Sequence, residues 1–323
     1  MFIIDEFSYL DEEGNPTGQM SSPQIGGGGT YAAVGARIWL EEDQIGMVVD
    51  RGHDWPSYVQ KDLETYGAGM WMFRNQPESK TARALNSYMG EHRSFDYLTP
   101  RIRISPRDFK DTPLEGARYL HFVCSPKRVK EMMAEVREVP GWDPITIYEP
   151  IPDRCIPEEL DALSQVLPDI HVLSPNAVEV LTLLSMALLP TKEKIEAAAQ
   201  RLIDIGVGPN GQGAVIIRSG ELGAYVLTRS RGGRWIDAFW SPEEADKIVD
   251  VTGAGNSFLG GLAAGLTQTG GDVYKATLYG TVSASYTIEQ LGLPTLSRAV
   301  DGSALWNDTD PHSRLQQLEE KYS

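Results

Sequence analysis

Apolar and polar positions along this chain follow two rhythms. Ile45–Val49, Tyr119–Cys124, Ile145–Tyr148, His171–Leu173 and Ala214–Arg218 are short runs, apolar on both faces. Such runs predict strands buried on both sides. Between the runs, Tyr31–Leu40 and Ser57–Tyr66 carry small and apolar residues at helical spacing. Ser125-Pro126 reads as a helix start, with Ser as N-cap and Pro at the first helical position. This alternation predicts an α/β fold with a three-layer, doubly wound, mostly parallel sheet. Helices cover both faces and the crossovers are right-handed. A chain of 323 residues fits one such domain, spanning 1–323.

Two stretches break the alternation. Asp11–Pro23 is polar and turn-rich, and Phe95–Asp108 alternates polar and apolar residues around two prolines. Both read as excursions from the sheet, forming a small β lid from about residues 8–24 and 93–113. Phe2–Ile4 is a strand stub ending at Asp5. It is shorter than the five or six residues of a typical central strand, as expected of a chain that begins late. Gly206–Gln212 and Ser230–Arg234 read as surface turns.

Composition narrows the partners. The net charge of -16 repels phosphodiester backbones and anionic lipid, so neither nucleic acid nor membrane is an expected partner. Cys124 and Cys155 are isolated, which predicts reduced thiols rather than a disulfide framework or zinc site. No apolar run approaches the ~20 residues of a membrane span. The start does not have the form of a signal peptide. A cytoplasmic location is the expectation.

The most informative segment is Asp250-Val-Thr-Gly-Ala-Gly-Asn256. A strand-like Lys247–Val249 is expected to lead into Thr252-Gly253-Ala254-Gly255, and a small-residue helix, Asn256–Leu266, to follow. Glycines at a helix entrance let several backbone N–H groups converge on one point, and the helix dipole adds positive potential there. The product is an anion hole suited to a phosphoryl group. The alternative is that Gly-Ala-Gly merely permits close packing of the helix on the sheet.

The segment resembles the C-terminal signature of the ribokinase, or PfkB-type, carbohydrate kinases, Asp-Thr-x-Gly-Ala-Gly-Asp. It matches at Asp250, Thr252, Gly253, Ala254 and Gly255. Ser174-Pro-Asn-Ala-Val-Glu179 resembles the family's Asn-x-x-Glu motif, which implies that Asn176 and Glu179 organise Mg2+ and its phosphate water. The same spacing also describes a helix N-cap with an acidic first turn. Ser219-Gly-Glu-Leu-Gly223 resembles the nucleotide loop, placing Ser219, Gly220 and Gly223 along ATP. By itself it could be a hairpin turn. Gly26, Gly27 and Gly28 resemble the N-terminal glycine signature that lines the substrate pocket, and Asp5 an Asp that holds substrate hydroxyls. Asp250 resembles part of a monovalent-cation site that takes K+ in some relatives. Phe2–Glu6, Ile151–Cys155 and Ser285–Pro294 are most similar to the maintenance-of-killer branch.

The resemblance runs from residue 1 to about 295. It implies a ribokinase-like fold and an ATP-dependent phosphotransferase acting on a hydroxyl of a sugar-, polyol- or nucleoside-like molecule. It also implies a homodimer paired through the lid. One departure matters. The position at which the family carries its general base, an Asp, holds Asn256, and an amide cannot take a proton at neutral pH. Loss of a positioned base costs ~10²–10⁴ in rate. Phosphoryl transfer has a loose transition state in which positioning and charge neutralisation dominate, so turnover survives in principle. The rival expectation is a nucleotide-binding pseudokinase or regulator with little turnover. On the kinase reading, Asn256→Asp is expected to raise the rate by ~10²-fold.

Overall fold

Four of the apolar runs become strands of one central sheet, while Ile45–Val49 falls in a strand, Met47–Gly52, that pairs in parallel with Trp71–Gln76 in a separate two-stranded sheet. The structure, a computed structural model, describes every residue except Met20, Gly90, Glu91 and Ser323. Met20 falls within the polar stretch 11–23, so that part of the expected lid lies outside the described residues. The first elements are β1 (Ile3–Leu10), β2 (Gln24–Gly26), α1 (Gly28–Arg37), β3 (Met47–Gly52), α2 (Ser57–Glu64), β4 (Trp71–Gln76), β5 (Arg83–Met89) and β6 (His92–Tyr97). Next come β7 (Tyr119–Cys124), α3 (Pro126–Arg137), β8 (Ile145–Pro150), α4 (Leu160–Val166), β9 (Val172–Leu173), α5 (Ala177–Leu183), α6 (Lys192–Ile205) and β10 (Ala214–Arg218). The chain continues through β11 (Ala224–Thr228), β12 (Gly232–Ile236), α7 (Ala254–Gln268), α8 (Val273–Thr287), β13 (Leu296–Arg298), β14 (Ala304–Trp306) and α9 (Pro311–Lys321).

The six-stranded sheet has the order β12-β11-β10-β9-β8-β7. β7 through β10 run parallel, and β11 and β12 extend the edge antiparallel. Alternate residues feed two separate cores. Ile147, Val172, Ile216 and Val226 pack with Phe258, Leu262 and Val282 of α7 and α8. Tyr148, Leu173, Val215, Ile217 and Leu227 pack with Val129, Leu163, Val180 and Leu202 of α3 to α6. The period of two along a strand sends successive side chains to opposite faces, so both faces of an apolar run are used. This is the expected three-layer α/β architecture. α3 opens as predicted, with the Ser125 hydroxyl accepting from the Arg128 N–H at 3.3 Å.

A second sheet has the order β2-β1-β5-β6. β1 is no stub, and Asp5 lies inside it rather than at its end. Phe7 to Leu10 continue the strand because β5 offers a partner in register, Phe7 beside Asn86 and Tyr9 beside Tyr88. The Tyr9 and Tyr88 rings stack with centroids 5.6 Å apart. Two other expectations are corrected. Ser230–Arg234 is not all turn, since β12 begins at Gly232 and pairs with β11. Lys247–Val249 forms no strand. It closes a 3-10 turn, Pro242–Lys247. The apolar residues that suggested a strand, Ile248, Val249 and Val251, are 40%, 59% and 66% exposed. The Val249 and Asp250 N–H groups both donate to the Ile288 carbonyl at the end of α8, which fixes the loop without a ladder.

α1, α7 and α8 are rich in small residues for a packing reason. The Ser257 hydroxyl donates to the Ser283 carbonyl, and the Ser283 hydroxyl donates to the Gly35 carbonyl at 2.9 Å. A Cβ on Gly260 would overlap the Ala32 carbonyl oxygen. Such contact requires the helix backbones themselves to touch. Gly260→Val is therefore expected to destabilise the fold by about 3 kcal/mol or more, the upper end for overpacking, because the obstacle is backbone. Urea unfolding would show this as a lowered midpoint; an unchanged midpoint would mean the helices separate freely.

Candidate active site

In open α/β sheets, the carboxyl ends of the parallel strands form the natural binding crevice. Here β8 ends in Glu149-Pro150, β9 runs into Ser174-Pro175-Asn176, and β10 ends in Arg218. Asn176 and Arg218 lie side by side through an isolated parallel bridge. The N-terminus of α7 meets these strand ends from the other side.

Gly253 caps α7 with φ 80°, a left-handed conformation that suits glycine, and no side chain caps the first turn. The Ala254 N–H turns back to the Val251 carbonyl at 3.2 Å, and the other first-turn amides are left to what lies near them. Arg218 lies against the flank of this turn. A Cβ on Gly255 would overlap the Arg218 Nη1 atom, so only glycine lets the guanidinium come this close. Arg218 donates from Nη2 to Glu149 Oε1 at 2.6 Å and to the Ser174 carbonyl at 3.0 Å. The same Nη2 is 3.8 Å from Glu179 Oε2. The Arg218 Nε and the Ser174 hydroxyl are buried without a hydrogen-bond partner.

Asn256, in the first turn of α7, donates from Nδ2 to Glu149 Oε2 at 2.9 Å. An ionised carboxylate can only accept, so this contact turns the amide NH2 toward Glu149. On its other side the Asn256 side chain faces Gly28, where an added Cβ would sit 2.9 Å from Oδ1. Gly27 precedes α1 with φ 91°. Gly26 backs onto Asp5, whose carboxylate a Cβ there would overlap; Asp5 is 6% exposed. The structure thus joins Asp5–Gly26 and Gly28–Asn256–Glu149–Arg218–Glu179–Asn176 into one run of contacts.

Asn176 and Glu179 form a reciprocal capping box on α5. Asn176 Oδ1 accepts from the Glu179 N–H at 2.8 Å, and Glu179 accepts from the Asn176 N–H and Nδ2, both at 2.7 Å. The N-cap reading of the spacing is realised, and the capping box aims Glu179 inward, where it is 6% exposed. Burial pushes its carboxyl up to about 7, Arg218 pulls it down and Glu149 adds to the rise. Ser219–Gly223 is the turn between β10 and β11, closed by the Ser219 N–H on the Gly223 carbonyl at 2.7 Å. Ser219 and Gly220 directly follow Arg218. Asp250 accepts from the Thr252 N–H at 3.0 Å, shaping the approach to Gly253. Among the described residues no group of three or more His, Cys, Asp or Glu is arranged to hold a metal. Among them no helix is long and apolar enough to cross a membrane.

Glu149 and Arg218 are the members that sequence reading missed. Arg218 adjoins the nucleotide-loop segment, and Glu149 is an acid closing an apolar strand, a weak signal by itself. The raised Glu179 carboxyl makes stability depend on pH. Its folded value lies above its ordinary 4.5, so its contribution is complete below pH 4.5 and is lost as pH rises to about 7. The loss is on the order of 3 kcal/mol. Glu179→Gln is expected to flatten the fall in urea midpoint over this window. An equal fall in both proteins would contradict the shift.

The family model for pfkB family carbohydrate kinases matches residues 143–298, which include β8 to β10 and α7. An uncharacterized protein of Schizosaccharomyces pombe is 30% identical, covering 99% of this chain and 91% of its own length. Protein MAK32 of Saccharomyces cerevisiae is 33% identical, over 83% of this chain and 78% of its own. Among solved structures, Arabidopsis thaliana ribokinase complexed with ribose and ATP superposes with a TM-score of 0.67 at 17% identity, over 98% of this chain and 96% of that one. The fold, the site at the strand ends and the two yeast relatives agree, and the chain belongs to the pfkB family of carbohydrate kinases, in the branch that includes Protein MAK32.

Proposed function

We propose that this chain is an ATP-dependent phosphotransferase acting on a hydroxyl of a small sugar-, polyol- or nucleoside-like molecule. The observation that carries the reading is the meeting of the uncapped α7 N-terminus with the Arg218 guanidinium. Helix amides beside a cation suit a phosphoryl group whose charge grows during transfer. The buried, unpartnered Arg218 Nε and Ser174 hydroxyl leave donors for phosphate oxygens, so the residues present fit a bound triphosphate. Gly253, Ala254 and Gly255 would hold the transferring group. Ser219, Gly220, Gly223 and Thr252 would line the nucleotide. ATP would supply the phosphoryl group.

Asn176 and Glu179 would organise Mg2+, and a carboxylate that burial makes hard to ionise gains from a divalent cation nearby. Asp250 would belong to a K+ site. Asp5 with Gly26, Gly27 and Gly28 would face the acceptor. The excursions at about 8–24 and 93–113, which include the end of β1 and most of β6, would serve as the lid. The exposed Phe95 and Tyr97, on one face of β6, would meet a second copy in a homodimer. The acidic surface argues against nucleic-acid and membrane partners, and a cytoplasmic location accompanies this reading.

The second reading is a nucleotide-binding regulator with little turnover. Asn256 favours it, because an amide in place of a carboxylate also removes repulsion toward a triphosphate.

Calorimetric titration with ATP, with and without Mg2+, tests the shared element of both readings. Mg2+-dependent binding is expected; no binding in either condition would sink both. Gly255→Val is expected to abolish that binding, since its side chain displaces Arg218 and fills the space before the helix. Tight binding retained in the variant would put the phosphates elsewhere. Mg2+·ATP is also expected to bind more tightly at pH 8 than at pH 6, because metal binding favours ionised Glu179. Affinity independent of pH would remove Glu179 from the metal site.

A further inference from the structure

Transfer of a phosphoryl group to a hydroxyl releases a proton, and something must take it. Asn256 cannot. The carboxylates near the α7 N-terminus are few. Glu179 has its oxygens engaged by Asn176 and lies 3.8 Å from Arg218 Nη2. Asp250 is bound to the Thr252 N–H in the approaching loop. Asp5 lies behind Gly26. Glu149 touches Asn256 directly, through the 2.9 Å bond to its Oε2. Its other oxygen is held by Arg218 at 2.6 Å, so the carboxylate is fixed at both ends. A carboxylate oxygen has two lone pairs, and Oε2 spends one on Asn256.

We propose that Glu149 is the proton acceptor of this site: the carboxylate missing from helix α7 is supplied from the end of strand β8. The inference rests on the phosphotransferase reading and extends it. In the step, the acceptor oxygen forms a bond to the γ-phosphorus of ATP as the bond from that phosphorus to the β–γ bridging oxygen breaks. ADP leaves with the bond's electron pair, and the hydroxyl proton passes to Glu149 Oε2. Asn256 positions Glu149 by donating to it, and Arg218 holds the opposite oxygen.

This geometry alters the expectation for Asn256→Asp. An Asp at 256 would place a second carboxylate against Glu149, and two carboxylates in contact share a proton rather than both ionising. The single substitution therefore does not give the simple ~10²-fold gain that the sequence suggests. Exchanging the two groups should work instead. In the double variant Asn256→Asp/Glu149→Gln, the helix carries the carboxylate and the strand carries the amide. The amide on the strand can still accept from Arg218 through its oxygen and donate to position 256 through its nitrogen.

The test measures ADP release from Mg2+·ATP with water, D-ribose and adenosine as acceptors. It compares wild type, Glu149→Gln, Glu149→Asp and the double variant, each with its Mg2+·ATP affinity and melting temperature. Glu149→Gln is expected to lose ~10²–10⁴-fold in turnover while its affinity stays within about threefold, as expected when only a transition-state role is lost. Glu149→Asp keeps a carboxylate and should exceed Glu149→Gln by about tenfold or more, and the double variant should do the same. Glu149→Gln turning over within about threefold of wild type would overturn the proposal, as would a folded double variant no faster than Glu149→Gln. A wild type that binds Mg2+·ATP yet is no faster than Glu149→Gln overturns it as well, with nucleotide binding left standing. Absence of Mg2+·ATP binding is a different failure, that of the phosphotransferase reading itself.

Discussion

One buried cation holds the crevice together. Arg218 is 11% exposed in its side chain, and the carboxylates beside it, Glu149 and Glu179, are 9% and 6% exposed. Removing three charges from water costs several kcal/mol per ion, and the attraction offsets this only with close geometry and further hydrogen bonds. Those bonds come from Ser174, Asn176 and Asn256. The cluster ties β8, β9 and β10 together at their carboxyl ends. It carries one positive charge against two acids, a shortfall that adds, through Glu149, to the rise that burial imposes on the Glu179 carboxyl. Anything that brings positive charge to the crevice, a divalent cation above all, relieves it.

The same shortfall explains the amide on α7. A third carboxylate at position 256 would lie against Glu149 with the same single guanidinium to serve all three. Asn fits where Asp does not, because it donates to Glu149 instead of repelling it. On the proposed role of Glu149, the amide at 256 complements the acid on the strand. The site retains a carboxylate, a cation and helix amides, arranged around a different covalent anchor.

Most of the sheet was legible because its strands are buried on both faces. Residues such as Val215, Ile216 and Ile217 leave no polar face, and only a central strand accommodates that. β1 was read too short because Phe7–Leu10 is only half-buried and depends on β5, a partner far along the chain. Ile248 and Val249 misled because exposed apolar residues look the same in sequence as buried ones. The glycines at α7 were legible from local spacing. Glu149 was not, since its bond to Asn256 spans 107 positions and its bond to Arg218 spans 69. Local pattern carries backbone geometry and capping; it carries no information on which distant side chains share a buried charge.

The most direct test of the crevice as the phosphate site is hydrogen–deuterium exchange of the intact chain with and without saturating Mg2+·ATP. The nucleotide is expected to slow exchange together in residues 250–256, 174–179 and 218–223, the segments that meet around Arg218. Bound nucleotide that leaves all of these unchanged while protecting another surface would contradict the placement of the phosphates at the N-terminus of α7.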